Sequence, residues 1–268
     1  MNIPNRIEET IANEFNKEIW GKFLKAIQQY KLIEEGDRIA VCISGGKDSM
    51  LLAQCMIRLK RYGKLRFETE FLAMDPGYSE ANRNKILSNA ELLEIPLKML
   101  STKVFESAEK SGKRPCFLCS RLRRGWLYKT AAELGCNKIA LGHHFDDVIE
   151  TILMGMLYGS QMQTMMPKLH SENYADMQVI RPLYLVREKD ILRWAELNSL
   201  EFIGCACSVT EKSSAQSKRN EIKALLAQLR KVNPAVDMNI FRSAENVNLR
   251  TLISYHDGDE YHHFLDNY

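Results

Sequence analysis

The sequence predicts an α/β fold, a mostly parallel sheet with helices on both faces and helical extensions at the N- and C-terminal ends. Three observations carry this. Short apolar runs alternate with longer segments of helical apolar spacing from about residue 36 to residue 200. The turn SGGKDS follows the first of those runs directly and opens into a helical segment. No apolar run approaches the roughly 18–20 residues that would cross a bilayer, so the apolar residues have a packed core to fill.

Taken in order, residues 5–34 place Ile7, Ile11, Phe15, Ile19, Trp20, Phe23, Leu24 and Ile27 at helical spacing, which predicts one or two helices ended by Gly36. RIAVCI (38–43) is continuously apolar after its first residue and reads as a buried strand. A helix follows over about 48–61, then FETEFLAM (67–74) as the second strand and a helix near 79–94. Pro96 stops that helix, and LKML (97–100) begins a third strand. A basic helix is expected near 118–134, ended by Gly135; KIALG (138–142) is the fourth strand, and a helix starts around Asp146. QVIRPL (178–183) offers a fifth strand, and a helix runs from about Arg187 to Asn198. Beyond about residue 212 the pattern gives two helices, 215–231 and 237–247, interrupted at Pro234. The expected organisation is a helical segment at 1–35, a central domain at 36–210 and a helical extension at 211–268.

Composition narrows the class. With 45% hydrophobic and 26% charged residues in 268, the chain is ordinary globular protein. Its polar, acidic start, MNIPNRIEETIANEF, is unlike a signal peptide, so a cytoplasmic protein without a membrane partner is expected. The seven cysteines are an odd count that fits poorly with a disulfide framework. Cys42, Cys55 and Cys136 occur singly in apolar or helix-like stretches and read as small buried hydrophobes. Cys116, Cys119, Cys205 and Cys207 come in pairs and read as metal or redox groups. The net charge of +3 decides little, but seven basic residues and no acidic one fall between Lys110 and Lys129. A second basic stretch holds Lys218, Arg219, Lys223, Arg230 and Lys231. Clusters of this kind suit a polyanionic partner. His256, His262 and His263 read as solvated groups of a polar tail.

Ser44-Gly45-Gly46-Lys47-Asp48-Ser49 carries the clearest chemistry. Two glycines let the backbone approach an anion, the following amides and the helix N-terminus aim donors at it, and Lys47 adds a mobile positive charge. Position 41 is Val where a Walker A loop needs its first glycine, and Asp48 follows the lysine. Transfer of a terminal phosphoryl group is therefore a poor reading.

SGGKDS after a strand resembles the PP-loop, or N-type ATP pyrophosphatase, superfamily, whose fold is adenine nucleotide alpha hydrolase-like and whose members release pyrophosphate and place AMP on the substrate. The order SGGKDS, then Cys116-Phe-Leu-Cys119-Ser120-Arg121-Leu-Arg123-Arg124-Gly125, Gly142-His143-His144-Phe-Asp146-Asp147, Arg181-Pro182-Leu183, Arg187-Glu188-Lys189-Asp190 and a last cysteine pair is similar to the tRNA 2-thiocytidine synthetase family from about residue 20 to about 250. That resemblance implies ATP held by Ser44, Gly45, Gly46, Lys47, Asp48 and Ser49, with Ala73, Met74 and Asp75 flanking adenine and ribose and Gly142 and His143 near the nucleotide. It implies catalytic roles for Lys47, Asp48 and Asp147, the last placing Mg²⁺ or the triphosphate; a helix N-cap is the competing reading of Asp146 and Asp147. It implies a 4Fe–4S cluster on Cys116, Cys119 and Cys207, and tRNA contacts from Arg121, Arg123 and Arg124. The expected partners are tRNA, ATP, a sulfur donor (a cysteine desulfurase or free sulfide), and a second copy of the chain in a homodimer. From spacing alone, a structural zinc on all four paired cysteines is the alternative to the cluster.

Two features depart from the family pattern: Cys205-Ala206-Cys207 is followed by Ser208-Val209 instead of Gly-Ser-Gln, and the turn Asp75-Pro76-Gly77-Tyr78 is short. The implied reaction is attack of a pyrimidine carbonyl oxygen on the α-phosphate, release of pyrophosphate, and displacement of AMP by sulfur, most simply giving 2-thiocytidine at tRNA position 32. A PP-loop enzyme thiolating uridine or a small molecule, and a nucleotide- and cluster-binding regulator without turnover, are the other functions that these motifs allow.

Overall fold

The computed structural model describes residues 3–102, 115–171, 174, 176–203 and 218–268; the side chains of 3–5, 115–120 and 267 lie outside the description. The described chain forms two compact units, Met1–Val148 with Met166–Ser217, and Ile149–Met165 with Lys218–Tyr268.

The first unit opens with α1 (Ile3–Ala12), a π-helical turn (Asn16–Trp20) and α2 (Gly21–Gln29). Ile11, Ile19 and Phe23 from this run are fully buried, as the helical spacing requires. The alternating elements follow: β1 (Arg38–Ile43), α3 (Lys47–Tyr62), β2 (Glu68–Asp75), α4 (Glu80–Leu92), β3 (Leu97–Ser101), α5 (Pro115–Glu133), β4 (Lys138–Ala140) and α6 (Phe145–Gly159), whose later part belongs to the second unit. Then come β5 (Lys168–His170), β6 (Gln178–Ile180) and α7 (Glu188–Leu197).

The strands form one sheet in the order β3-β2-β1-β4-β6-β5, parallel except where β5 runs antiparallel to β6. Every β1 residue after Arg38 is buried, which places the continuous apolar run at the sheet centre. On one face α5 packs Ala131 and Leu127 against Cys42, Leu72, Ile139 and Cys136. α3, buried along most of its length, packs against α1 and α7. Lys138, 1% exposed, is held by Asp37 Oδ2 at 2.7 Å and Glu34 Oε2 at 3.1 Å, so β4 begins on a buried ion pair.

The second unit holds α8 (Lys218–Val232) and α9 (Val236–Ser243), one on each side of Pro234, and a β-hairpin of β7 (Ser254–Asp257) and β8 (Glu260–His263). The polar tail forms a hairpin in which His256 is exposed and His262 and His263 are partly so. Its histidines are ring partners, His262 on Tyr255 at 4.7 Å and His256 against Tyr261 at 5.1 Å. Gly258, at φ +61°, supplies the left-handed residue in the turn. The second basic stretch is engaged inside this unit: Arg219 Nε lies 2.8 Å from the buried Glu150, Lys223 lies 3.7 Å from it, and Arg230 is 3.0 Å from Asp237. Among the described residues no helix is long and apolar enough to cross a membrane.

Candidate functional site

The strand order changes direction between β1 and β4, which are neighbours while the chain continues outward on opposite sides of them. Ligands of open α/β sheets bind beyond the carboxyl ends of strands at such a point. Here those ends carry Ser44–Gly46 and Leu141–His144, so the two motifs lie side by side. Gly142 makes the approach possible. A Cβ on it would stand 3.0 Å from the Ser49 amide nitrogen and 3.1 Å from the Asp48 carbonyl carbon.

The loop is braced from within. Ser49 Oγ donates to the Gly46 carbonyl at 2.9 Å, accepts from the Ser44 N–H at 3.1 Å and lies 3.2 Å from Ser44 Oγ. Gly45 has φ +86°, where a side chain is strained, and a Cβ there would come within 2.7 Å of Ile203 and Ile86. Gly46 is the N-cap residue of α3 without a capping side chain, which leaves the first-turn amides of the helix open to an anion.

Charged groups gather around this loop. Lys47 Nζ is 3.0 Å from Glu188 Oε1 and 3.2 Å from Asp48. Burial pulls the lysine's pKa down, but Asp48 and Glu188 outweigh it and the net shift is upward, so the ammonium stays charged. Burial pushes the Asp48 carboxyl above the ordinary carboxylate range; His144 and Lys47 offset only part of this and Asp147 adds to it. His144, 3% exposed, lies between two carboxylates, Nε2 3.7 Å from Asp48 and Nδ1 3.4 Å from Asp147. Asp147 Oδ2 accepts the His144 N–H at 3.0 Å, so the residue caps the start of its own helix and also faces the cavity. Asp146 turns elsewhere and accepts the Glu188 N–H at 2.8 Å, capping α7.

A cavity of about 310 Å³ opens over the loop. Ser44, Asp48 and Ser49 line it from the loop and α3, Met74 from β2, Gly142, His143 and Asp147 from the β4 side, and Arg123 and Leu127 from α5. Arg123 also donates to the Tyr78 hydroxyl at 3.2 Å. Of the group expected to flank adenine and ribose, only Met74 lines the cavity. Ala73 is buried between β1 and β3. Asp75, 1% exposed, is engaged by Arg83 and accepts the Gly77 and Tyr78 N–H groups at 2.9 and 2.7 Å, which closes the short turn. Burial alone would raise its pKa; those hydrogen bonds and Arg83 bring it below the usual carboxylate value. Arg121 and Arg124 are exposed on the same helix that turns Arg123 inward.

The PP-loop domain family matches this chain over residues 15–229. A tRNA-cytidine(32) 2-sulfurtransferase of Alkalilimnicola ehrlichii is 41% identical over 229 residues, 83% of this chain and 70% of that relative. The protein of the same name from Geobacter metallireducens is 36% identical over 232 residues, covering 85% and 89%. The chain belongs to the PP-loop family, among the tRNA-cytidine(32) 2-sulfurtransferases. The U34-tRNA thiolase NcsA from Methanococcus maripaludis, solved with its 4Fe–4S cluster, superposes with a TM-score of 0.63 at 22% identity, over 84% of this chain and 76% of that one, and has the same fold.

In this PP-loop protein the cysteines separate by environment. Cys42, Cys55 and Cys136 are free and buried. Burial pushes the Cys42 thiol up to about 12 and raises Cys55 and Cys136 as well, so all three remain thiols. Residues 116 and 119 lie about one turn apart at the start of α5. Cys205 and Cys207 lie outside the described residues, and among the described residues no group of three or more His, Cys, Asp or Glu stands ready to hold a metal. Two residues near the loop belong to motifs but carried no assigned role: His144, whose signal is the Asp three positions on, and Glu188, an acid at a helix start.

Proposed function

We propose that this protein is an ATP-dependent tRNA sulfurtransferase that converts a cytidine to 2-thiocytidine, at position 32 of the anticodon loop. The observation that carries this is the convergence of the phosphate loop and α5 on one cavity. Arg123 lines it beside Ser44 and Asp48, while residues 119 and 116 stand about 6 and about 10 Å back along the same helix axis, at ~1.5 Å rise per residue. Nucleotide chemistry and sulfur chemistry then share one helix.

The amides after Gly45 and Gly46, the N-terminus of α3 and Lys47 hold the β- and γ-phosphates of ATP. Asp48 and Asp147 would hold Mg²⁺, which would neutralise phosphate charge, and Arg123 faces charge that develops at the α-phosphate. The cytidine C2 carbonyl oxygen attacks that phosphorus, the bond to pyrophosphate breaks, and the base carries AMP as a leaving group. Cys116, Cys119 and Cys207 would hold a 4Fe–4S cluster, which would supply the sulfur nucleophile; sulfur bonds to C2 as the C2–O bond breaks and AMP leaves. Free sulfide replenishes that sulfur directly, and a cysteine desulfurase does so together with a two-electron thiol reductant. Arg121 and Arg124 bind the tRNA phosphates.

Nucleoside mass spectrometry of tRNA from a deletion strain tests the reading. Loss of 2-thiocytidine, restored by the wild-type gene and not by Lys47→Ala, is expected. Unchanged 2-thiocytidine with loss of another thionucleoside would reassign the target base.

A further inference from the structure

Lys47 is the first residue of α3, so its ammonium sits at the positive end of a helix macrodipole. With a side-chain exposure of 21% it is also largely withdrawn from water. A cation so placed needs an anion beside it. Asp48 is one, from the same helix. The other, Glu188, comes from 141 positions away, its Oε1 3.0 Å from Nζ.

The aim of Glu188 is built into the fold. It is the first residue of α7, and its N–H is held by Asp146 at 2.8 Å. Trp194 and Ile191 fix that helix in the core at zero exposure. At the positive end of its own helix the carboxylate is favourably placed as an anion. It therefore stands where an anion gripped by Lys47 would stand.

We infer that Glu188 is a positioning residue that holds Lys47 while the loop is free of phosphate, competes with pyrophosphate for it, and so speeds the product's departure. This rests on the reading above that the loop grips the β- and γ-phosphates. Glu188→Gln keeps the side-chain shape and the backbone hydrogen bond to Asp146 but removes the competing charge. Its affinity for inorganic pyrophosphate rises about three- to fivefold, the size of a partly exposed ion pair. Product inhibition by pyrophosphate strengthens by the same factor.

Calorimetric titration of the full-length protein with inorganic pyrophosphate, in magnesium-containing buffer, tests this in four forms: wild type, Glu188→Gln, Lys47→Ala and the double variant. Tightening in Glu188→Gln that vanishes in the Lys47→Ala background supports the inference, because the competition acts through Lys47. Equal tightening in both backgrounds makes Glu188 only a nearby negative charge, and weaker binding in Glu188→Gln makes it a binding group; either overturns the inference. If Lys47→Ala binds pyrophosphate as well as wild type does, it is the phosphate-loop reading that falls.

Discussion

Asp48 shows a cost accepted at a site. Its carboxyl is pushed above the ordinary value of 3.8, chiefly by burial. A raised folded-state pKa contributes stability only below the unfolded value and loses it as pH rises through the folded one. At neutral pH the charged Asp48 therefore works against folding. Asp48→Asn is expected to raise Tm by roughly 1–3 °C at pH 7, the shift a fraction of 1 kcal/mol gives in a chain of this size. The gain shrinks as pH falls toward 4, while tRNA-dependent pyrophosphate release is lost. Thermal melts at the two pH values with a pyrophosphate assay check both halves. An unchanged or lower Tm at pH 7 would mean that the Lys47 and His144 contacts outweigh desolvation.

At the scale of elements, the site depends on how closely the end of β4 approaches the start of α3. A Cβ on Gly142 would meet the backbone of Asp48 and Ser49, which cannot turn aside as a side chain would. Gly142→Ala therefore displaces the first turn of α3 by a few tenths of an ångström and lowers kcat/KM for ATP by roughly three- to tenfold, since a misplaced catalytic group costs up to ~100-fold per ångström. Gly135, which unlike Gly142 is left-handed (φ +71°) and has open space around it, serves as the control for a glycine substitution without a clash. Steady-state kinetics of Gly142→Ala with its far-UV spectrum unchanged is the check. α5 divides its work by face: Arg123 and Leu127 turn to the cavity, while Arg121 and Arg124 face solvent.

That division predicts separable effects on the whole molecule. Replacing Arg121 and Arg124 by Ala weakens tRNA binding and lowers the slope of log K against log salt by about two, one per lost phosphate contact. Arg123→Ala instead lowers pyrophosphate release with less change in the salt slope. Filter binding across a salt series distinguishes them, and an unchanged slope in the double variant would mean these arginines only face solvent. The cysteine assignment is tested on the intact protein by iron and sulfide analysis under anaerobic conditions. Cys207→Ala loses the cluster and thiolation, whereas Cys205→Ala keeps the cluster. Loss in both variants would point to four cysteine ligands, and a colourless zinc protein would replace the cluster altogether.

Local pattern was enough for most of the elements, because helix period, apolar runs and Gly or Pro breaks act over a few residues. RIAVCI gave β1 to the residue, and Gly135, Pro96 and Pro234 marked element ends. The phosphate loop was equally legible, since its glycines and its helix start are contiguous. Three-residue β5 and the terminal hairpin escaped that reading: KLH is too short to show alternation, and the hairpin's rings are stabilised by partners across strands rather than along one. Tertiary structure alone decided the rest. It put β4 beside β1, turned Arg123 rather than Arg121 or Arg124 into the cavity, set His144 between Asp48 and Asp147, and brought Glu188 to Lys47. Each of these is a meeting between segments, or a choice among faces of one helix. Both depend on which strands pair and which faces are buried, and no local run of residues carries that information.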